Sequence, residues 1–180
     1  LPQIFFLWSS VNWGDHCSHF GVFEDGGGYR LHSNGARVPL YADPAAVPGV
    51  EDPKIERMAA VEHEIRYAKG TRRAQSALLR LIAPTGRVQE IELEPLLVFR
   101  MKGIGYTHPE WGHGRWKGEL AIGGESWKLA DADPQAIDNQ HIQQLMRARS
   151  EGREGIGVLE QICFGPHPRY GFTQFMDGAA

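Results

Sequence analysis

Apolar side chains in this chain recur mostly at every second position, in short runs cut by glycine and proline, as β-strands do. Ile4–Trp13 is apolar at both parities over its first half, like a strand buried on two faces or lining an apolar cavity. His19–Glu24 stops at Asp25-Gly26-Gly27-Gly28, a turn signal, and Tyr29–Val38 resumes the alternation. Pro39, Pro44, Pro48 and Pro53 make residues 39–53 a loop.

Ile55–Ala68 fits two periods. Met58, Val61, Ile65 and Ala68 match a helix face, whereas Val61, His63, Ile65 and Tyr67 alternate with Glu62, Glu64 and Arg66. The segments that follow favour strand. Ala74–Ala83 ends at Pro84-Thr85-Gly86, and Val88–Met101 sets Ile91, Leu93, Leu97, Phe99 and Met101 against Glu90, Glu92 and Glu94. His113–Ile122 and Glu125–Asp131 flank Gly123-Gly124 and predict a hairpin. Asp138–Arg149 predicts the single helix, capped by Asp138 or Asn139, with Ile142, Leu145 and Met146 as its stripe. Gly155–Phe164 is a last strand. The pattern is mainly β: an antiparallel, lipocalin-like barrel of about eight strands with one short helix near the C-terminus.

The 180 residues suit a single domain spanning 1–180 that holds its core without disulfides. The longest apolar run, Ile4–Trp8, is far short of the ~20 residues of a membrane helix, so no membrane insertion is expected. With 19 basic and 22 acidic side chains, a net charge of −3 and no long block of either sign, nucleic acid is not an expected partner. The basic clusters Lys69–Arg73 and Arg147–Arg153 read as a solvated turn or helix end. Cys17 and Cys163 have no paired spacing and read as free thiols of a cytoplasmic protein, with a disulfide between them as the alternative. The start at Leu1-Pro2 reads either as a processed terminus or as part of a longer protein.

Three places carry candidate chemistry. The run Gly103–Glu119 packs Tyr106, His108, Glu110, Trp111, His113 and Trp116 around Pro109 and several glycines, which exclude a helical zinc motif. It is either a loop presenting these groups to a ligand at a barrel mouth or a packed turn plugging the barrel. In Trp13–Gly21, Asp15 and His19 either serve the turn or point into the cavity to meet that loop. Glu160 stands among apolar neighbours on its strand, where desolvation would make it a proton donor near neutral pH. The other reading gives it an arginine partner, Arg115 or Arg30. His63 alternates with Val61 and Ile65 as a core or lumen histidine, and His167, in a Pro-flanked loop, is placed to close the barrel mouth.

Trp13-x-Asp15…His19-Phe-Gly-Val-Phe-Glu-Asp25, the glycine–histidine–tryptophan block from Gly103 and Gly157-Val-Leu-Glu-Gln161 together resemble a lipocalin-like superfamily of AttH-type proteins and carotenoid hydratases (hydroxyneurosporene synthases). The likeness is to an uncharacterised bacterial branch and covers about residues 8 to 175. It implies the C-terminal barrel of a tandem pair, an apolar aromatic site with a few acids, and no metal or other cofactor. A second barrel or a homodimer would then complete the site.

Two functions follow from these readings, with a third beside them. An enzyme of hydratase or cyclase type would protonate an apolar isoprenoid- or polyketide-like small molecule from Glu160, Asp15 or Glu110, between the faces of Tyr106, Trp111 and Trp116. His108, His113, His19 and His63 would help line its ligand site. A non-catalytic carrier of a lipid or terpenoid would use the same lumen. The third reading makes His108, Glu110, His113 and His19 ligands of a divalent metal.

Overall fold

The computed structural model describes residues 3–49, 52, 54–100, 110, 112, 114–124 and 126–180. Among the described residues there are nine strands: β1 (Ile4–Asn12), β2 (His16–Glu24), β3 (Arg30–Pro39), β4 (Glu56–Arg57), β5 (Ala60–Tyr67), β6 (Ala74–Ile82), β7 (Val88–Arg100), β8 (His141–Ser150) and β9 (Arg153–Phe164). All pair antiparallel in one sheet, in the order β4-β3-β2-β1-β9-β8-β7-β6-β5. The sheet curls into a half-barrel whose two edges approach where β4 hands over to β5. There the Met58 N–H donates to the Gly35 carbonyl of β3 at 2.9 Å, and the Ala59 N–H to that of Ile82 on β6 at 2.7 Å. A Cβ on Gly35 would fall 2.5 Å from Val61 of β5, so the lack of a side chain there lets the edges close.

Alternation sorts the side chains. Phe5, Leu7, Ser9 and Val11 of β1, and Val61, His63, Ile65 and Tyr67 of β5, face the buried concave side. Glu62, Glu64 and Glu90 face out around Arg80, which pairs with Glu64 at 2.6 Å and Glu90 at 2.8 Å. Phe5, Leu7, Phe20, Leu79, Leu81 and Leu159 are fully buried, each contributing roughly 1.5–3 kcal/mol of burial energy. Residues 55–68 are therefore mostly strand, split as β4 and β5 where Met58 and Ala59 cross the gap between the edges.

Three expectations are corrected. Residues 138–149 do not form a helix: only Ile137–Asn139 make a 3-10 turn, and β8 begins at His141. Ile142, Gln144, Met146 and Ala148 point inward, whereas Leu145, expected in the helix stripe, is 40% exposed. β8 lies between β7 and β9 and bonds to both, and a helix would leave those two ladders unpaired. The local preference of Gln-Gln-Leu-Met-Arg-Ala-Arg for helix is worth less than that. The hairpin about Gly123-Gly124 is absent from the described residues: 114–124 and 126–128 hold no strand, and Leu129–Asp131 is a 3-10 turn. Gly114 and Gly118, at φ +76° and +102°, take the backbone out of the extended region just where the first strand was expected. On β7 the apolar face does not run to its end: a bulge between Pro95 and Leu97 flips the parity, leaving Leu97 and Phe99 exposed.

No helix of the described residues is long and apolar enough to cross a membrane. Cys17, half-buried, and Cys163, buried, are free thiols, and burial pushes the Cys163 thiol up to about 12.

Candidate functional site

Glu24 ends β2, continuing the inward line of Phe20 and Val22, just before the glycine turn. Asp25 shapes that turn by accepting from the Gly27 and Tyr29 N–H groups. A bulge at Phe23–Glu24 brings Arg30 opposite Glu24, and its Nε donates to Glu24 Oε1 at 2.8 Å. The same oxygen accepts from His63 Nε2 of β5 at 2.9 Å, and Oε2 accepts from His167 Nε2 at 2.8 Å. Glu24, His63 and His167 are 3%, 0% and 1% exposed. His167 reaches this position because the chain after β9 folds back, with a bridge from His167 to Phe172 and a 3-10 turn at Pro168–Tyr170.

The network fixes the protons. The ionised Glu24 carboxylate can only accept, so neutral His63 carries its proton on Nε2, and its Nδ1 accepts from Tyr170 Oη at 2.6 Å while Oη accepts from the Ile65 N–H at 3.2 Å. Burial opposes ionisation of Glu24, but hydrogen bonds from His167, His63 and Arg30 outweigh it and hold the carboxyl well below the usual range. Burial likewise drives the His63 pKa below its ordinary value, against the pull of Glu24. The Tyr170 hydroxyl is raised, chiefly by burial. The Phe5 ring stacks on His167 at 4.1 Å between centroids. Only His167 Nδ1 of this cluster is left buried without a hydrogen-bond partner.

A second buried ion holds the same segment. Arg72, 3% exposed, donates to the carbonyls of Gly165, Gln174 and Asp177 at 2.7, 3.0 and 2.7 Å, and pairs with Asp177 Oδ1 at 2.5 Å. Its guanidinium lies over the Phe172 ring, 4.2 Å from the centroid. Residues 165–179 are thus drawn across one end of the half-barrel, with Tyr170 and Phe172 packed against its core. Apart from His167 Nδ1, the polar groups of both clusters bond to each other and to backbone, and together they clasp the segment after β9 to the end of the sheet.

The opening lies beside this clasp. β6 pairs with β7 only from Ala77 to Ile82, so the start of β6 and the end of β7 part. Between them is a cleft of about 600 Å³ lined among others by Leu96, Leu97, Val98 and Leu129, with Arg73 and Gln144. Gln144 is held rigidly: its Nε2 donates to the Ala74 carbonyl at 3.0 Å, and its Oε1 accepts from Gln161 Nε2 at 2.5 Å. Gln161 Oε1 in turn accepts from the Ala74 N–H at 2.9 Å.

Among the described residues, Asp15, His19, Glu110, Trp116 and Glu160 do not converge with His63. Asp15 is exposed and pairs with Arg153, at 2.8 and 3.2 Å, and with His16 at 2.6 Å; these partners hold its carboxyl well below the usual range. His19 faces outward and bonds Asn34 Oδ1 at 2.8 Å. Glu160, on the outward face of β9 opposite Trp8, pairs with His141 at 2.7 Å rather than with Arg115 or Arg30. Glu110 is exposed and lies 3.3 Å from Lys117, and Trp116 is 79% exposed. Tyr106, His108, Trp111 and His113 lie outside the described residues. Of the described residues singled out, His63 and His167 face the interior, both inside the cluster just described. Among the described residues no three His, Cys, Asp or Glu side chains are grouped to hold a metal ion.

Glu24, Tyr170 and Arg72 were missed. Glu24 carried a signal, an acid in an apolar alternating line, and Tyr170 follows the Pro-flanked His167. Arg72 carried none, since it sits in a basic turn that reads as solvated.

Fold and clusters together define a curled antiparallel β protein with a buried, ionised clasp at one end and a side cleft next to it. The chain belongs to DUF8625, a family of unknown function, whose model matches residues 1–173. No curated protein and no solved structure matches it.

Proposed function

We propose that this protein is a lipocalin-like barrel that binds a small apolar molecule, and that the binding site is the cleft between β6 and β7. The observation that carries this reading is the cleft itself. Its roughly 600 Å³ falls in the range of small-molecule sites, about 300–1,000 Å³. Leu97 at 65% and Leu129 at 60% exposure leave apolar surface uncovered at its rim. Binding is favoured over acid-promoted hydration or cyclisation because Asp15, Glu110 and Glu160 each face a basic side chain, and Asp15 and Glu160 lie on different parts of the sheet.

The test is titration with the neutral fluorophore N-phenyl-1-naphthylamine, together with native mass spectrometry of the purified protein. Saturable fluorescence enhancement that is lost in Leu97→Asp supports the reading. No enhancement in the wild type, or equal enhancement in the folded Leu97→Asp variant, removes it. An apolar passenger in the mass spectrum would name the ligand class directly.

A further inference from the structure

We infer that the ligand carries an anionic head group, which the Arg73 guanidinium binds; the inference rests on the reading of the cleft as a binding site. Arg73 precedes β6 and is locked in place through its backbone, whose N–H donates to Thr71 Oγ1 at 3.1 Å and whose carbonyl accepts from the Ala68 N–H at 2.9 Å. Arg73 is half-buried and lines the cleft, yet among the described residues its guanidinium has no hydrogen bond or ion pair. A cation partly removed from water without a counter-ion is unfavourable, and an anion arriving with the ligand would relieve it.

The other polar groups at the cleft do not supply that anion. Glu94 lines the same space, but its Oε2 faces Arg147 at 3.5 Å and Arg149 at 3.3 Å. The amide of Gln144 is occupied by Ala74 and Gln161. Leu96, Leu97, Val98 and Leu129 line the same cleft, as does the uncharged Gln75. Among the described residues the cleft therefore pairs these four apolar side chains with one cation that has no counter-ion, the complement of an amphiphile with a negatively charged end. A guanidinium fork takes a carboxylate or a phosphate equally well in two parallel hydrogen bonds, so both head groups are candidates.

The experiment displaces N-phenyl-1-naphthylamine from the full chain with dodecanoate, dodecyl phosphate or dodecanol, all below their micelle concentrations. At least one of the two anions should displace the probe roughly tenfold more strongly than the alcohol, as a charge-assisted hydrogen bond implies. Arg73→Gln should abolish that preference, and Arg73→Lys should restore part of it. Whichever anion is stronger identifies the head group as carboxylate or phosphate. Equal displacement by all three, or a preference that survives in Arg73→Gln, overturns the inference and leaves the apolar cleft standing. Failure of the probe to bind the wild type overturns both.

Discussion

Replacing Glu24 by Gln tests whether the buried cluster holds the fold together. The substitution keeps the shape and removes the charge that accepts from Arg30, His63 and His167 at 2.8, 2.9 and 2.8 Å. The two hydrogen bonds from His63 and His167 become neutral ones, Arg30 loses its counter-ion, and one carboxylate oxygen becomes an NH₂ facing a donor. Against this, the variant no longer desolvates an ion, so the loss is less than the sum: about 3 kcal/mol, rising toward about 5 for Glu24→Ala, where the basic partners are left in a cavity. For a chain of 180 residues this lowers the melting midpoint by roughly 6–12 °C. Urea unfolding reads it as a lower midpoint at unchanged slope. The same measurement over pH carries a sign. His63 is held below its ordinary 6.5, so the unfolded chain binds that proton more readily, and stability falls as pH drops through about 6.5. Glu24 is held below its ordinary 4.5, so its contribution is whole above that value and is lost as pH falls further. Glu24→Gln should shrink the second limb, leaving the part due to other carboxylates held low, such as Asp177. A Glu24→Gln variant as stable as the wild type from pH 7 to pH 4 would refute the clasp.

Arg72→Met should cost about 3–5 kcal/mol by leaving three carbonyls and Asp177 without their buried donor. Limited proteolysis should then cut within 165–179 well before the sheet, and a resistant tail would count against the anchor. Gly157→Ala puts a Cβ 2.5 Å from the Ser10 carbonyl oxygen and 2.7 Å from Val11 Cγ2, so β1 and β9 must separate, at about 1–3 kcal/mol in urea unfolding. A neutral effect would mean that this strand contact is looser than the structure has it.

Much of the sheet was legible because period-two alternation is a local signal. Val61, His63, Ile65 and Tyr67 declared the buried face of β5, and Pro84-Thr85-Gly86 the turn after β6. The buried cluster was legible in two residues, His63 and His167. Glu24 lies 39 positions before His63 and His167 lies 104 after it, and nothing in these neighbourhoods encodes their meeting. Asp15 and Glu160 misled for the converse reason: each has a basic partner, Arg153 or His141, that only strand pairing places beside it.

What the sequence determined by itself, then, is the class of the fold, the buried face of β5, and the glycine turn after β2. The tertiary structure decided that residues 141–150 are strand, that the chain after Phe164 folds back over the end of the sheet, and where β6 and β7 part to leave a cleft. The physical reason is one of scale. Intrinsic helix preference amounts to a few tenths of a kcal/mol per residue, whereas an interior strand left unpaired would bury backbone groups at a cost of about 1–3 kcal/mol each. Non-local pairing therefore overrules local preference wherever the two disagree, as at Gln143–Arg149.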